Sequence, residues 1–220
     1  MINLNNKTRN ILASLYIVAL LMLAVGTTFS YFTTVKTSNI NPAVEAGSAK
    51  TNEILFEIIN KIDIYADASN FQAGDESITS SVDAKVTLTH GESDTSESEY
   101  YNAILNISTN EFEYSTLDKK PELILTVNGP DGEITNIDGL TYKNVSDNKG
   151  NVISGFDITN LEGKIAIVKN KEITVKDQDT NTAIENWKIK VTYVNLDASQ
   201  NINFEKELNG TIQFERAEKL

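Results

Sequence analysis

Asn186 to Tyr193 reads Asn-Trp-Lys-Ile-Lys-Val-Thr-Tyr, and its eight residues alternate without a break. Trp187, Ile189, Val191 and Tyr193 fall on one side, and Asn186, Lys188, Lys190 and Thr192 on the other. Successive side chains of a strand point to opposite faces of a sheet, so this segment predicts a half-buried strand with Trp187 in the core. The same period recurs in Val82, Ala84, Val86 and Leu88, in Tyr101, Ala103, Leu105 and Ile107, and in Leu123, Leu125 and Val127. Shorter candidates lie at 112–114, 165–168, 172–175, 202–208 and 211–215. The stretch 53–65 (EILFEIINKIDIY) matches both a helical stripe and alternation, and its five isoleucines favour a strand.

Turn chemistry separates these runs: Asn128 to Gly132, Asp138-Gly139, Asn148 to Asn151 and Asn209-Gly210. Nine or ten short strands with no helical period between them predict an all-β domain, an antiparallel two-sheet sandwich of jelly-roll or immunoglobulin-like type. For the last turn, a three-residue loop Leu208 to Gly210 with a bulge sets Phe204 opposite Phe214 and Lys206 opposite Ile212. A two-residue loop would split the apolar set between faces, so the bulged hairpin is expected.

Ahead of this domain the pattern changes. Met1 to Asn10 is polar and carries Lys7 and Arg9; Ile11 to Gly26 is apolar and uncharged, and Thr27 to Phe32 prolongs it. That order is the pattern of a secretory signal, with Thr28 and Ser30 as the small residues before a cut at Tyr31. The 22 residues from Ile11 to Phe32 are also long enough to span a bilayer, so an uncut leader would stay as a single-pass anchor. With Lys7 and Arg9 held inside, the remainder faces out in either case. The resulting division is 1–32 signal or transmembrane helix, 33–52 linker or edge strand, 53–216 sandwich and 217–220 tail.

The balance of 31 Asp+Glu against 19 Lys+Arg argues against a nucleic-acid partner, which needs clustered cations. The acidic surface reads as solvated and self-repelling, with Ca²⁺ collected from the medium as the alternative. There is no cysteine, hence neither a disulfide framework nor a thiolate metal site. Asp177, Asp179 and Asn181 resemble the opening of a Ca²⁺ loop, but the sixth position lacks Gly and Lys188 stands at the twelfth, so an EF-hand is rejected. No cofactor is expected. The one histidine, His90, lies in a polar run with Ser93, Asp94 and Ser96 nearby; proximity in a loop does not make a triad, and it reads as a solvated side chain. No carboxylate pair stands out for glycan cleavage, and the chain is not expected to be an enzyme. Asn106, Asn144 and Asn209 open formal glycosylation sequons.

Gly26 to Thr33 (GTTFSYFT) resembles the junction in exported proteins of Gram-positive bacteria whose leaders are cut by the W-type signal peptidase, among them the TasA and camelysin fibre subunits. The stretches 101–108, 121–127 and 187–197 resemble surface proteins of gut Firmicutes with the same kind of signal. The resemblance implies a jelly roll that polymerises in a cell-surface or biofilm matrix by lending an N-terminal strand to a neighbour. Tyr31 to Ala46 would then be the donor, through Phe32, Val35, Ile40 and Val44, with Pro42 interrupting it. Expected partners are signal peptidase, the membrane by way of the helix, further copies of the chain or other surface proteins. The expected location is the outer face of a Gram-positive membrane or the secreted matrix. A membrane-anchored recognition domain, binding glycan or protein through the loops 91–99 and 146–153, is the second expectation.

Overall fold

The computed structural model describes residues 51–67, 76–91, 97–176 and 181–218. The expected leader helix, the expected cleavage residues Thr28, Ser30 and Tyr31, and the expected donor residues Phe32, Val35, Ile40 and Val44 lie outside the described residues.

Two antiparallel sheets face each other as a β-sandwich. The larger contains β1 (Glu53–Ile59), β3 (Ile78–Thr89), β10 (Thr182–Tyr193), β5 (Leu123–Gly129), β8 (Val152–Asp157) and β7 (Tyr142–Ser146) in that order, with the short β6 (Gly132–Glu133) paired to β5. The smaller runs β2 (Ile62–Tyr65), β11 (Glu207–Ala217), β4 (Ser98–Asn110), β9 (Gly163–Thr174). Alternation places the inward set of each strand in the layer between the sheets: Val82, Val86 and Leu88 from β3, Tyr101 and Leu105 from β4, Trp187, Ile189 and Val191 from β10. At its centre the rings of Phe56, Tyr101, Trp187 and Phe214 pack with centroids 5.6 to 6.3 Å apart. Trp187 is therefore core, as its register implied. Ile124 and Val194 break strict alternation because the opposite face is also covered there, by Val145 and Leu196.

Four readings of the sequence change. The run 53–65 is two strands, not one: Asn60 adopts φ 73°, and the chain leaves the larger sheet at Ile59 and joins the smaller at Ile62. The candidates at 165–168 and 172–175 belong to one strand, β9, bent by register shifts beside Asn170 at φ 55°. Phe112 is buried against Tyr193 with a centroid distance of 4.9 Å, but 112–114 is not a strand.

The fourth concerns Asn209-Gly210, which makes no hairpin. β11 runs straight through it, Ile212 lies opposite Leu105 and Phe214 opposite Ala103, and the bulge is on β4, where Ser108 is the extra residue. Residues 201–206 hold a 3₁₀ turn, Asn201–Asn203, and a left-handed Glu205 rather than a strand. The reason is that Leu208, Gly210, Ile212 and Phe214 form one unbroken inward series against β4, and burying that series outweighs a local turn preference.

Candidate functional site

The ends of the sandwich differ. One end is closed by a buried polar network around Glu122, which heads the all-apolar start of β5. Glu122 is fully buried, and a carboxylate offers about four acceptor sites. The Ser115 amide and hydroxyl donate to Oε1 at 2.5 Å each, and the Gln200 and Asn203 side-chain amides to Oε2 at 2.7 Å each. Asn203 also exchanges hydrogen bonds with the backbone of Glu113 (2.9 and 2.8 Å), and Gln200 with Leu196 and Val194 (2.8 and 3.0 Å). Burial and the nearby Glu122 charge push the Tyr193 hydroxyl's pKa up. All of this ties the 110–122 and 195–206 connections together, which is a structural task.

The other end carries Thr51 and Asn52, which lead into β1, and an open cleft. Asn52 is buried; its Oδ1 accepts from the Gly91 amide (3.1 Å) and from His90 Nδ1 (3.0 Å), while its Nδ2 donates to Glu99 (3.3 Å). Arg216 forks onto the same Glu99 through Nε (3.0 Å) and Nη2 (2.6 Å). Gly91 is required by close approach, since a Cβ there would sit 2.3 Å from the Thr51 carbonyl carbon. His90 is therefore part of the clamp on the arriving chain and not a solvated loop residue. Ser93, Asp94 and Ser96, like Asp177 and Asp179, lie outside the described residues.

Beside this clamp is a cleft of about 580 Å³ lined by β9 (Lys171 to Thr174), Lys176, the start of β10 (Thr182 to Glu185) and the Pro130-Asp131 turn. Lys171 crosses it from the smaller sheet to the larger, reaching Asp131 at 2.8 Å and Glu185 at 3.3 Å. Behind Glu185 the Tyr101 hydroxyl donates to its carboxylate and accepts from Trp187 Nε1 at 3.0 Å. Burial opposes the Lys171 ammonium, but its hydrogen bond to Asp131 and the Glu185 charge outweigh that and hold its pKa above the usual lysine value. The same hydrogen bond holds Asp131 below the ordinary carboxylate range. Burial first, then the bond to Glu185, push the Tyr101 hydroxyl well up. These directions keep Lys171 charged and Tyr101 protonated near neutrality, so the group forms an ion-pair brace between the sheets.

Sequence reasoning missed both networks. Glu185 had a legible signal, an acid on the inward register two residues before Trp187, whereas Glu122 draws its partners from 115, 200 and 203, a set no linear spacing reveals. Among the described residues no three His, Asp or Glu side chains gather to hold a metal ion. The loop 146–153 is a compact turn on Asp147, which accepts from the Lys149 and Asn151 amides (2.9 and 2.8 Å) and from Asn151 Nδ2 (2.9 Å).

No protein-family model matches the chain, and no curated protein matches it. Among solved structures it is similar to a chain of the structure of infectious bursal disease virus, Gx strain, at 11% identity and a TM-score of 0.30. That similarity covers 79% of this chain and 36% of the viral one.

Proposed function

We propose that this chain is a non-catalytic structural protein of the bacterial cell surface or extracellular matrix, a jelly-roll-type domain exported behind an N-terminal signal or anchor helix. Assembly proceeds by strand pairing between copies, with residues 31–46 as donor. The observation that carries this reading is a sandwich with uncovered strand edges. Among the described residues no strand covers the outer edge of β1 or of the twelve-residue β9. An open edge is a template for another chain. The signal pattern, the acidic cysteine-free composition and the resemblance around Gly26 to Thr33 agree with it.

Electron microscopy of the exported protein, with and without residues 31–46, tests the proposal. Fibres that vanish on truncation are the expected result; a monodisperse monomer with the segment present overturns it. The second reading, a recognition domain, is favoured by the ready-made cleft at Lys171 and the rigid turn at Asp147. A glycan array with saturable binding that Lys171→Met abolishes would select it.

A further inference from the structure

The two sheets turn different surfaces to solvent. Alternation sends the residues between the core positions outward, so the larger sheet presents Glu57, Asp83, Lys85, Lys188 and Lys190, with Glu57 and Lys85 ion-paired. The smaller sheet presents Asn209, Thr211 and Gln213 from β11, Ile104 and Asn106 from β4, and Ala166 from β9. Register sets these in rows: Thr211 lies beside Asn106, and Gln213 beside Ile104, with Ala166 next in line. Cross-strand neighbours are about 5 Å apart and same-face neighbours along a strand about 7 Å, so the six make a field about 10 Å wide and about 13 Å long. None of the six is charged, in a chain with 31 Asp+Glu and 19 Lys+Arg. Charge begins at the borders, with Asp63 on β2, Lys164 on β9, and Glu207 and Glu215 near the ends of β11.

We infer that this field binds a neutral polysaccharide chain laid across β11 and β4. The inference stands apart from the assembly reading, and it locates recognition on a sheet face rather than in the Lys171 cleft or at the Asp147 turn. Three observations select the occupant. First, the polar groups are uncommitted: among the described residues the side chains of Asn106, Asn209, Thr211 and Gln213 bond to no other protein group. A side-chain amide carries two donors and an acceptor, and a hydroxyl takes either role, so the set matches sugar hydroxyls, which also donate and accept. Paired strands hold these groups in fixed rows, which lowers the entropy lost on binding. Second, a neutral ligand that covers a charge must strip its water without compensation, and this field holds no charge to strip. An anionic polymer needs clustered cations, which the six positions do not supply. Third, Ile104 and Ala166 are cross-strand neighbours and set a small apolar centre where the C–H face of a sugar ring rests. The half-exposed Tyr65, diagonal to Asn209 across β2 and β11, adds an aromatic ring at one end.

Other occupants fit less well. A protein interface centres on buried aromatic and aliphatic anchors, and the field offers a single isoleucine for that purpose. A lipid surface calls for a basic or strongly apolar face, and this one is neither.

The test is affinity electrophoresis of the full chain, kept in a mild nonionic detergent, through native gels cast with soluble β-glucan, galactomannan or dextran. Polygalacturonate serves as the anionic counterpart, and mobility is normalised to a gel without polymer. Retardation by at least one neutral polymer and none by polygalacturonate is the expected result. Asn106→Asp combined with Gln213→Glu turns two uncommitted amides into carboxylates of the same shape and should weaken that retardation about tenfold, the contribution of one or two hydrogen bonds. Thr211→Glu, at an exposed place on the same face, should act likewise and decides the matter where the pair lowers the melting temperature. Lys171→Met in the cleft and Lys188→Gln on the larger sheet should leave retardation unchanged. Retardation that Lys171→Met abolishes and the face variants keep overturns the inference in favour of the cleft. Retardation by polygalacturonate alone, or by no polymer, overturns it outright. A dimer in sedimentation that the face variants dissolve, with no retardation in any gel, overturns the glycan in favour of a second copy.

Discussion

Glu122 has no exposure to solvent and, among the described residues, no cation paired with it, and four donors fill its acceptor sites. Glu122→Gln keeps the shape but turns one acceptor oxygen into a donor that faces other donors. It should lower the unfolding free energy by about 1–3 kcal/mol, measured by urea denaturation, because a buried polar group left unsatisfied costs its full desolvation penalty. The Asp131 and Lys171 pair is different, since Asp131 is largely exposed and its contribution is small. Its pH profile is nonetheless defined. Asp131 is depressed from 3.8, so its contribution is present above that value and lost as pH falls through the lower folded pKa; Lys171 is raised from 10.5, so its contribution is present below that value and lost as pH rises through the higher one. The melting-temperature difference between wild type and Asp131→Asn should therefore be flat across neutral pH and shrink at both extremes. A difference that peaks near neutrality would show that another group carries the effect.

Among elements, the break at Asn60 decides where the first strand goes. Asn tolerates the left-handed region and Gly does so without strain, whereas a β-branched residue meets its own backbone there. Asn60→Gly should leave the melting temperature close to wild type, while Asn60→Val should cost about 1–2 kcal/mol by denaturant titration. The strands at 82–88, 101–107, 123–127 and 187–193 were legible because each shows the period of two over several residues. Asn209-Gly210 misled because a strong local turn signal sits inside a longer inward series, Leu208 to Phe214, and only the presence of β4 alongside makes that series worth burying. Gly210 takes an inward place in the series, its missing Cβ 3.4 Å from the Asn106 carbonyl oxygen and 3.5 Å from Leu105.

For the whole molecule, the two ends have separate tasks. One is sealed by the Glu122 network; the other gathers the clamp at Asn52 and the cleft at Lys171. In the cleft Lys171 is committed to Asp131 and Glu185, and the three side chains brace the two sheets against each other.

The sequence by itself determined the strand class, the inward face of the long strands and the core role of Trp187, because these depend on local periodicity and composition. Tertiary structure decided which strands are neighbours, that one run of isoleucines serves two sheets, that Asn209-Gly210 stays extended, and that β5 stops short beside β10. Those outcomes depend on which distant segments compete to bury the same surface and satisfy the same backbone groups, and that competition is settled only when the whole chain has packed.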